Sequence, residues 1–264
     1  MKRILSILFW IAIVAVVCSL FIFANQRQNK LVCPEFRIEI DYQNAPVLVT
    51  QSNIRQEITR QKIKVRGNET GAIEVERIRQ LLNDNPFIRQ AALTIGVNGV
   101  VKASLTQRNP LVRVIDLKGR QFYIDDEGAL MPLSQEFPAR VIIASGNIKP
   151  IGKITKKSGL KNGQPQYKNL PAVLQEIYVT SMALRKEVFS NAFIEQIYVN
   201  ETGELELFPK IGQQKIILGD TTNIDEKLKN LKVFYHAGMK EAGWNTYKTI
   251  NLKFRNQVVC TKIK

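Results

Sequence analysis

Residues 4–24 form a run of 21 residues without a charge, interrupted only by the mildly polar Ser6, Cys18 and Ser19. As a helix rising about 1.5 Å per residue, the run spans about 30 Å, the thickness of a bilayer's hydrocarbon core. A chain carrying it is expected to sit in lipid at one end and to place everything that follows on one side of a membrane. A cleaved signal peptide would have an apolar core of about 7–15 residues closed by a small-x-small site. Phe21-Ile22-Phe23-Ala24-Asn25 offers no such site, and Val16-Val17 lack the small residue that precedes a lipidated Cys18. The run is therefore read as an uncleaved signal anchor, with residues 1–3 as a cytoplasmic tail, 4–24 as the transmembrane helix and 25–35 as a tether. Lys2 and Arg3 stand against Arg27 and Lys30, a slim charge bias. The short tail makes a single-pass type II arrangement in the inner (cytoplasmic) membrane, bulk outside, the simpler reading.

The formal net charge of +15 raises the question of a polyanionic partner. Sorted along the chain, residues 1–34 carry +4, 35–110 carry +3, 111–170 carry +5 and 171–264 carry +3. No segment concentrates it as a nucleic-acid groove does, and Trp10 and Trp244 belong to no basic aromatic stripe. With 45% hydrophobic and 23% charged residues, wholesale disorder is excluded. The three cysteines make no C-x-x-C, and a disulfide between Cys33 and Cys260 would have to join the root of the exported part to its last strand.

Beyond the tether, Phe36, Ile38, Ile40 and Tyr42 alternate with polar residues and predict a half-buried strand. Thr50-Gln51-Ser52-Asn53 starts a helix carrying Ile54 and Ile58, followed by a less regular stretch to Gly71. A second helix from about Ile73 presents Val75, Ile78, Leu81 and Leu82 and stops at Asn83-Asp84-Asn85-Pro86. Ala91, Leu93, Ile95 and Val97 form one strand, Asn98-Gly99 signals a type I′ hairpin, and Val101, Ala103 and Leu105 form the return. A small β-α-α-β-β domain over 36–110 results.

Short strands follow at 111–115, 121–124 and 139–143, with turns at Lys118-Gly119 and Asp125-Asp126-Glu127-Gly128. Residues 147–169 hold six lysines and no acid, and read as a solvated loop or insertion, or as a contact for an anionic surface. Leu174, Ile177, Leu184 and Val188 mark a helix, and 193–199, 205–208 and 215–218 read as antiparallel strands. Thr222-Asn223-Ile224-Asp225 resembles a capping box ahead of Ile224, Leu228, Leu231 and Tyr235 on one helical face. A terminal hairpin is expected at 249–254 and 257–262 about Arg255-Asn256. The fold class is α+β: a transmembrane helix, the small domain, then a mainly antiparallel β domain with flanking helices over 111–264.

Catalysis requires convergent groups, and none declares itself. His236 is the single histidine, which excludes a two-histidine zinc site and leaves any histidine-based triad dependent on one residue near a helix end. The G-x-S-x-G elbow, the phosphate loop and the dinucleotide fingerprint are absent from the sequence. Asp125-Asp126-Glu127-Gly128 lacks the alternating ligand spacing of a calcium loop and reads as a tight turn. No catalytic, cofactor or metal residue is assigned, and no enzyme is expected.

Several pieces, in order, resemble the bacterial FtsQ/DivIB cell-division family. They are the anchor, Asn85-Pro86-Phe87-Ile88-Arg89-Gln90-Ala91 after the second helix of a POTRA-like domain, and the junction Gln107-Arg108-Asn109-Pro110-Leu111-Val112, where the family more often has an acid at one of the first two places. Tyr123-Ile124-Asp125-Asp126-Glu127-Gly128 with Met131-Pro132-Leu133 looks like the opening of the second domain. Gly203-Glu204-Leu205-Glu206-Leu207, Ile216-Ile217-Leu218-Gly219 and the stretch from Ile250 to Val259 resemble the closing strands. The resemblance implies a non-enzymatic scaffold concentrated at the division septum, joining the bitopic proteins FtsB and FtsL through the last strands. That puts Phe254, Asn256, Val258, Val259, Cys260, Thr261 and Lys262 at the partner edge. The plainer alternative is an edge merely blunted by Lys253, Arg255, Lys262 and Lys264. Two other readings stand beside it: a POTRA-type periplasmic chaperone or protein-transport component, and a membrane-anchored cell-wall hydrolase.

Overall fold

The computed structural model describes residues 2–134, 136–152, 166–239, 243–244 and 246–263. The polypeptide divides into two compact units, Met1–Asp41 with Val49–Gln107, and Tyr42–Leu48 with Arg108–Lys264. Most of the lysine-rich stretch, 153–165, lies outside the described residues.

In the first unit, α1 (Lys2–Asn29) is a continuous helix. Its side chains are described at 9–20, 23, 28 and 29, and among the described residues no helix is long and apolar enough to cross a membrane. Phe9, Trp10, Ile11, Val14, Val16, Val17, Leu20 and Phe23 are all exposed, so this part of the helix finds no apolar cover among the described residues. The residues after α1 are no free tether. Val32 bridges Glu69 in antiparallel fashion, Cys33 N donates to Asn68 O at 2.8 Å, Gly67 N to Cys33 O at 2.8 Å, and Thr70 N to Leu31 O at 2.8 Å. Thr70 Oγ1 adds a bond to Gln28 O at 2.6 Å.

The remainder of the unit comprises β1 (Phe36–Asp41), α2 (Gln51–Arg60), α3 (Val75–Asp84), β2 (Ile88–Ile95) and β3 (Val101–Gln107). The Thr50 side chain accepts from Asn53 N while Asn53 reciprocates at the Thr50 amide, a capping box that fixes where α2 starts. The sheet order is β1-β3-β2, with β1 parallel and β2 antiparallel to β3. Ile54 and Ile58 of α2 and Ile78 and Leu82 of α3 close over Ile38, Val101, Ala103 and Leu105. The hairpin is not type I′. Only Gly99 takes a positive φ, Gly99 N bonds Gly96 O at 2.9 Å, and the turn therefore runs over Gly96-Val97-Asn98-Gly99. Val97, expected in the strand, is a loop residue 89% exposed.

The second unit contains a nine-stranded sheet, ordered β12-β11-β10-β9-β8-β7-β4-β5-β6. Its strands are β4 (Pro110–Ile115), β5 (Gln121–Asp125), β6 (Leu130–Pro132), β7 (Ile142–Gly146), β8 (Ile194–Val199), β9 (Leu205–Pro209), β10 (Lys215–Gly219), β11 (Tyr247–Asn251) and β12 (Val259–Lys262). Five neighbouring pairs are antiparallel, while β4 with β7, β7 with β8, and β10 with β11 are parallel. Parallel neighbours need a crossover of a dozen or more residues, and helices supply two of these. α4 (Ala172–Lys186) and α5 (Val188–Phe193) link β7 to β8, and α6 (Ile224–Val233) links β10 to β11. Leu174, Ile177, Leu184, Ile224, Leu228 and Leu231 from these helices, with Tyr235 from the turn after α6, bury against Val112, Val114, Ala144, Ile197, Leu207, Leu218 and Ile250. β7 begins at Ile142, three residues later than expected. It ends at Gly146 (φ 103°), where an added Cβ would stand 2.2 Å from Val199 O.

Two helix boundaries differ from the sequence reading. Glu187 is extended (φ −102°, ψ 116°) and breaks the helix there, leaving Val188 exposed. Asn223, left-handed at φ 54°, offers no side-chain bond to the start of α6, so no capping box forms. Cys33 and Cys260 are free thiols.

Candidate partner-binding edge

The strand β12 is the last in the sheet. It pairs with β11 through Asn251↔Val259, Ile250↔Cys260, Thr249↔Thr261 and Tyr247↔Lys262, with a bulge between Tyr247 and Thr249. Ile263 N extends the contact by donating to Thr246 O at 2.9 Å. On its other side no strand lies beside β12 among the described residues, which leaves a row of main-chain donors and acceptors open to an added strand. The opposite edge is different in kind. β6 is three residues long and ends in Pro132, which has no N–H to donate.

The pleat sorts the side chains of β12. Cys260 lies opposite the fully buried Ile250 and, with Val258, packs on the core, where burial pushes the Cys260 thiol up and keeps it protonated. Val259, 43% exposed, and Thr261 stand on the alternate face. Lys248, Arg255 and Lys262 are exposed and make no ion pair among the described residues, whereas Lys253 pairs with Glu204. An acidic or neutral extended segment suits this edge better than a basic one.

Of the seven residues singled out from sequence, four lie on β12: Val259, Cys260, Thr261 and Lys262. Phe254, Asn256 and Val258 lie in the 252–258 connection, which is longer than the tight hairpin expected. Leu252 N donates to Ile217 O on β10, Lys253 N donates to the Asn251 side chain, and Asn256 takes φ 61°, so the ladder to β12 is interrupted until Val259. Phe254 is nevertheless half exposed beside the edge. A cleft of about 180 Å³ adjoins it, where Asp220, Asn223, Glu226 and Lys227 face Lys253, Phe254 and Asn256. Sequence reading missed this cleft because nothing in the chain order brings the start of α6 to the final connection.

The segments that carry the family resemblance have structural work to do. Asn85 Oδ1 accepts from Phe87 N at 3.0 Å and its amide donates to Glu57 at 2.8 Å, fixing the turn between α3 and β2. Asp125, fully buried, accepts from the Glu127 and Ala129 amides at 3.0 and 2.7 Å and from Arg108 Nη1 at 2.8 Å. Burial pushes its carboxyl above the usual range against the pull of those donors. The turn after β5 is thus tied to the junction residue Arg108, and both oxygens of its first carboxylate are already committed. His236 is exposed on the turn after α6, with its ring 5.3 Å from that of Phe189. Among the described residues no cluster of His, Cys, Asp and Glu could hold a metal ion.

Comparison with known families supplies the identity of this two-unit arrangement. Residues 31–106 match a POTRA-like domain, and residues 109–261 match the FtsQ/DivIB C-terminal related family, a match reaching well into β12. The chain belongs to the FtsQ/DivIB family. Among curated relatives, the cell division protein FtsQ of Rhodothermus marinus is 24% identical over 179 residues, 66% of this chain and 60% of the relative. The chain therefore spans about 60% of that relative's length. The FtsQ/DivIB match takes in Asp125 and most of β12.

Proposed function

We propose that this FtsQ/DivIB protein is a non-enzymatic, membrane-anchored scaffold of the bacterial division machinery that receives FtsB- and FtsL-like bitopic proteins along β12. The relative's name supplies the process, and the open edge of β12 is the observation that carries the mode of binding. In that mode a partner segment adds to the sheet through main-chain bonds, Val259 and Thr261 select its alternate side chains, and Arg255 and Lys262 favour acidic ones. α1 holds the chain in the inner membrane with the bulk outside, a reading supported by its uncharged run and its uncovered apolar side chains.

Replacing Val259 separates docking from folding, since its side chain points away from the core. Val259→Glu and Thr261→Glu, both on the exposed face of β12, are each expected to weaken binding of purified FtsB- and FtsL-like segments by at least about tenfold while leaving the thermal transition in place. Unchanged affinity in both variants, measured by calorimetry on the full chain, would overturn the docking edge.

A further inference from the structure

The first unit carries a second charged surface, unrelated to β12. A cleft of about 420 Å³ is lined by Phe36, Ile58, Ile63 and Val65 and rimmed by Arg55, Lys62, Lys64 and Arg66. Lys62-Ile63-Lys64-Val65-Arg66 alternates cation with β-branched residue. The structure uses that alternation: Ile63 and Val65 are buried, and the three cations are exposed. Lys62, left-handed at φ 57°, closes the end of α2: its N bonds Thr59 O at 2.9 Å and Ile63 N bonds Ile58 O at 3.3 Å, which turns the chain so that the alternation follows directly. None of the four rim cations makes an ion pair among the described residues. The acid that faces them is Glu35, whose carboxylate is already bound by Arg37 at 3.0 Å.

The position of this rim relative to α1 decides what it meets. Gly67, next to Arg66, bonds Cys33, and Cys33 lies four residues beyond the end of α1. At about 3.3 Å per residue that is at most about 13 Å from Asn29. The bonds from Asn68 and Thr70 to residues 28–33 hold the loop there. With the uncharged run of α1 ending at Ala24, the five further helical residues to Asn29 add about 7 Å, so Cys33 stands at most about 20 Å beyond the hydrocarbon core, comparable to a headgroup layer and a Debye length together.

We propose that the basic cleft at residues 62–66 docks on anionic lipid headgroups of the membrane that holds α1, setting the first unit against the bilayer. The inference rests on the reading of α1 as a membrane anchor. Each cation close to an anionic surface strengthens such docking by about fivefold, so the rim cations reinforce one another.

The test uses the full chain in nanodiscs, first of phosphatidylcholine alone and then with 30 mol% phosphatidylglycerol, read by hydrogen exchange. Anionic discs are expected to slow exchange over residues 62–66 about tenfold, with the effect lost at about 0.5 M salt and in a Lys62→Gln, Lys64→Gln, Arg66→Gln variant. Exchange in α3 reports that the variant is folded. Equal exchange in both discs, or slowing that survives in the variant, overturns the proposal. So does equal slowing in neutral discs on adding millimolar glycerol phosphate, which would mark a free-phosphate site, or slowing only with an added acidic peptide. Failure to enter neutral discs at all overturns the anchor itself and is distinguishable from every one of these results.

Discussion

Glu187 shows how much one side chain holds together. It stands at the break between α4 and α5, and its Oε2 accepts from Ser190 N at 2.7 Å and Ser190 Oγ at 2.8 Å, capping α5. Its Oε1 accepts from Lys232 Nζ of α6 at 2.9 Å. Burial alone would raise this carboxyl, but the bonds from Lys232, Ser190 and Phe189 hold it down at about 2, against an ordinary 4.5. A lowered acid stabilises the fold above its unfolded pKa and loses that contribution as pH falls through the folded one. Glu187→Gln is expected to cost about 1–2 kcal/mol at pH 7, with the gap to wild type closing between pH 4.5 and about 2. Urea unfolding across that range measures it, and a gap independent of pH would place the loss in packing rather than charge.

At the scale of elements, β12 contributes little to the core beside what it offers outward. Val258 and Cys260 are only partly buried, and their removal uncovers Ile250 alone among the fully buried neighbours in the ladder. Deleting residues 258–264 is therefore expected to lower stability by about 2–3 kcal/mol while Trp244 fluorescence still reports a cooperative transition. Loss of cooperativity would instead make the strand a structural closure. The elements were unevenly legible in the sequence. Period-two and helical stripes with local caps, such as Thr50 to Asn53 and the Ile224, Leu228, Leu231, Tyr235 face, could be read because they depend on neighbours a few residues apart. Asn98-Gly99, Glu187 and Asn223 were misread because identical residues serve several backbone states, chosen here by bonds such as Gly99 to Gly96. The parallel pairings, the cleft beside Phe254 and the bond from Arg108 to Asp125 join residues 17 or more positions apart, which periodicity does not encode. The Lys62 to Arg66 alternation was present in the letters. It passed as irregular because no strand partner accompanies it.

For the whole molecule, the two buried clusters belong to two compact units, and the proposed role needs both on one chain. Depletion of the protein in its host is expected to give filaments without completed septa, and a tagged copy is expected to gather at the division site. Cells of normal length with intact septa, and a tag spread evenly around the envelope, would remove the division role whatever the binding assays gave. The stapling of residues 31–33 to 67–70 carries a mechanical consequence. A flexible leash would let the first unit swivel about α1, but here the helix runs on to Asn29 and is bonded at once to that unit. With α1 as the proposed anchor, turning or tilting it transmits torque to the first unit, as a handle turns the head of a key.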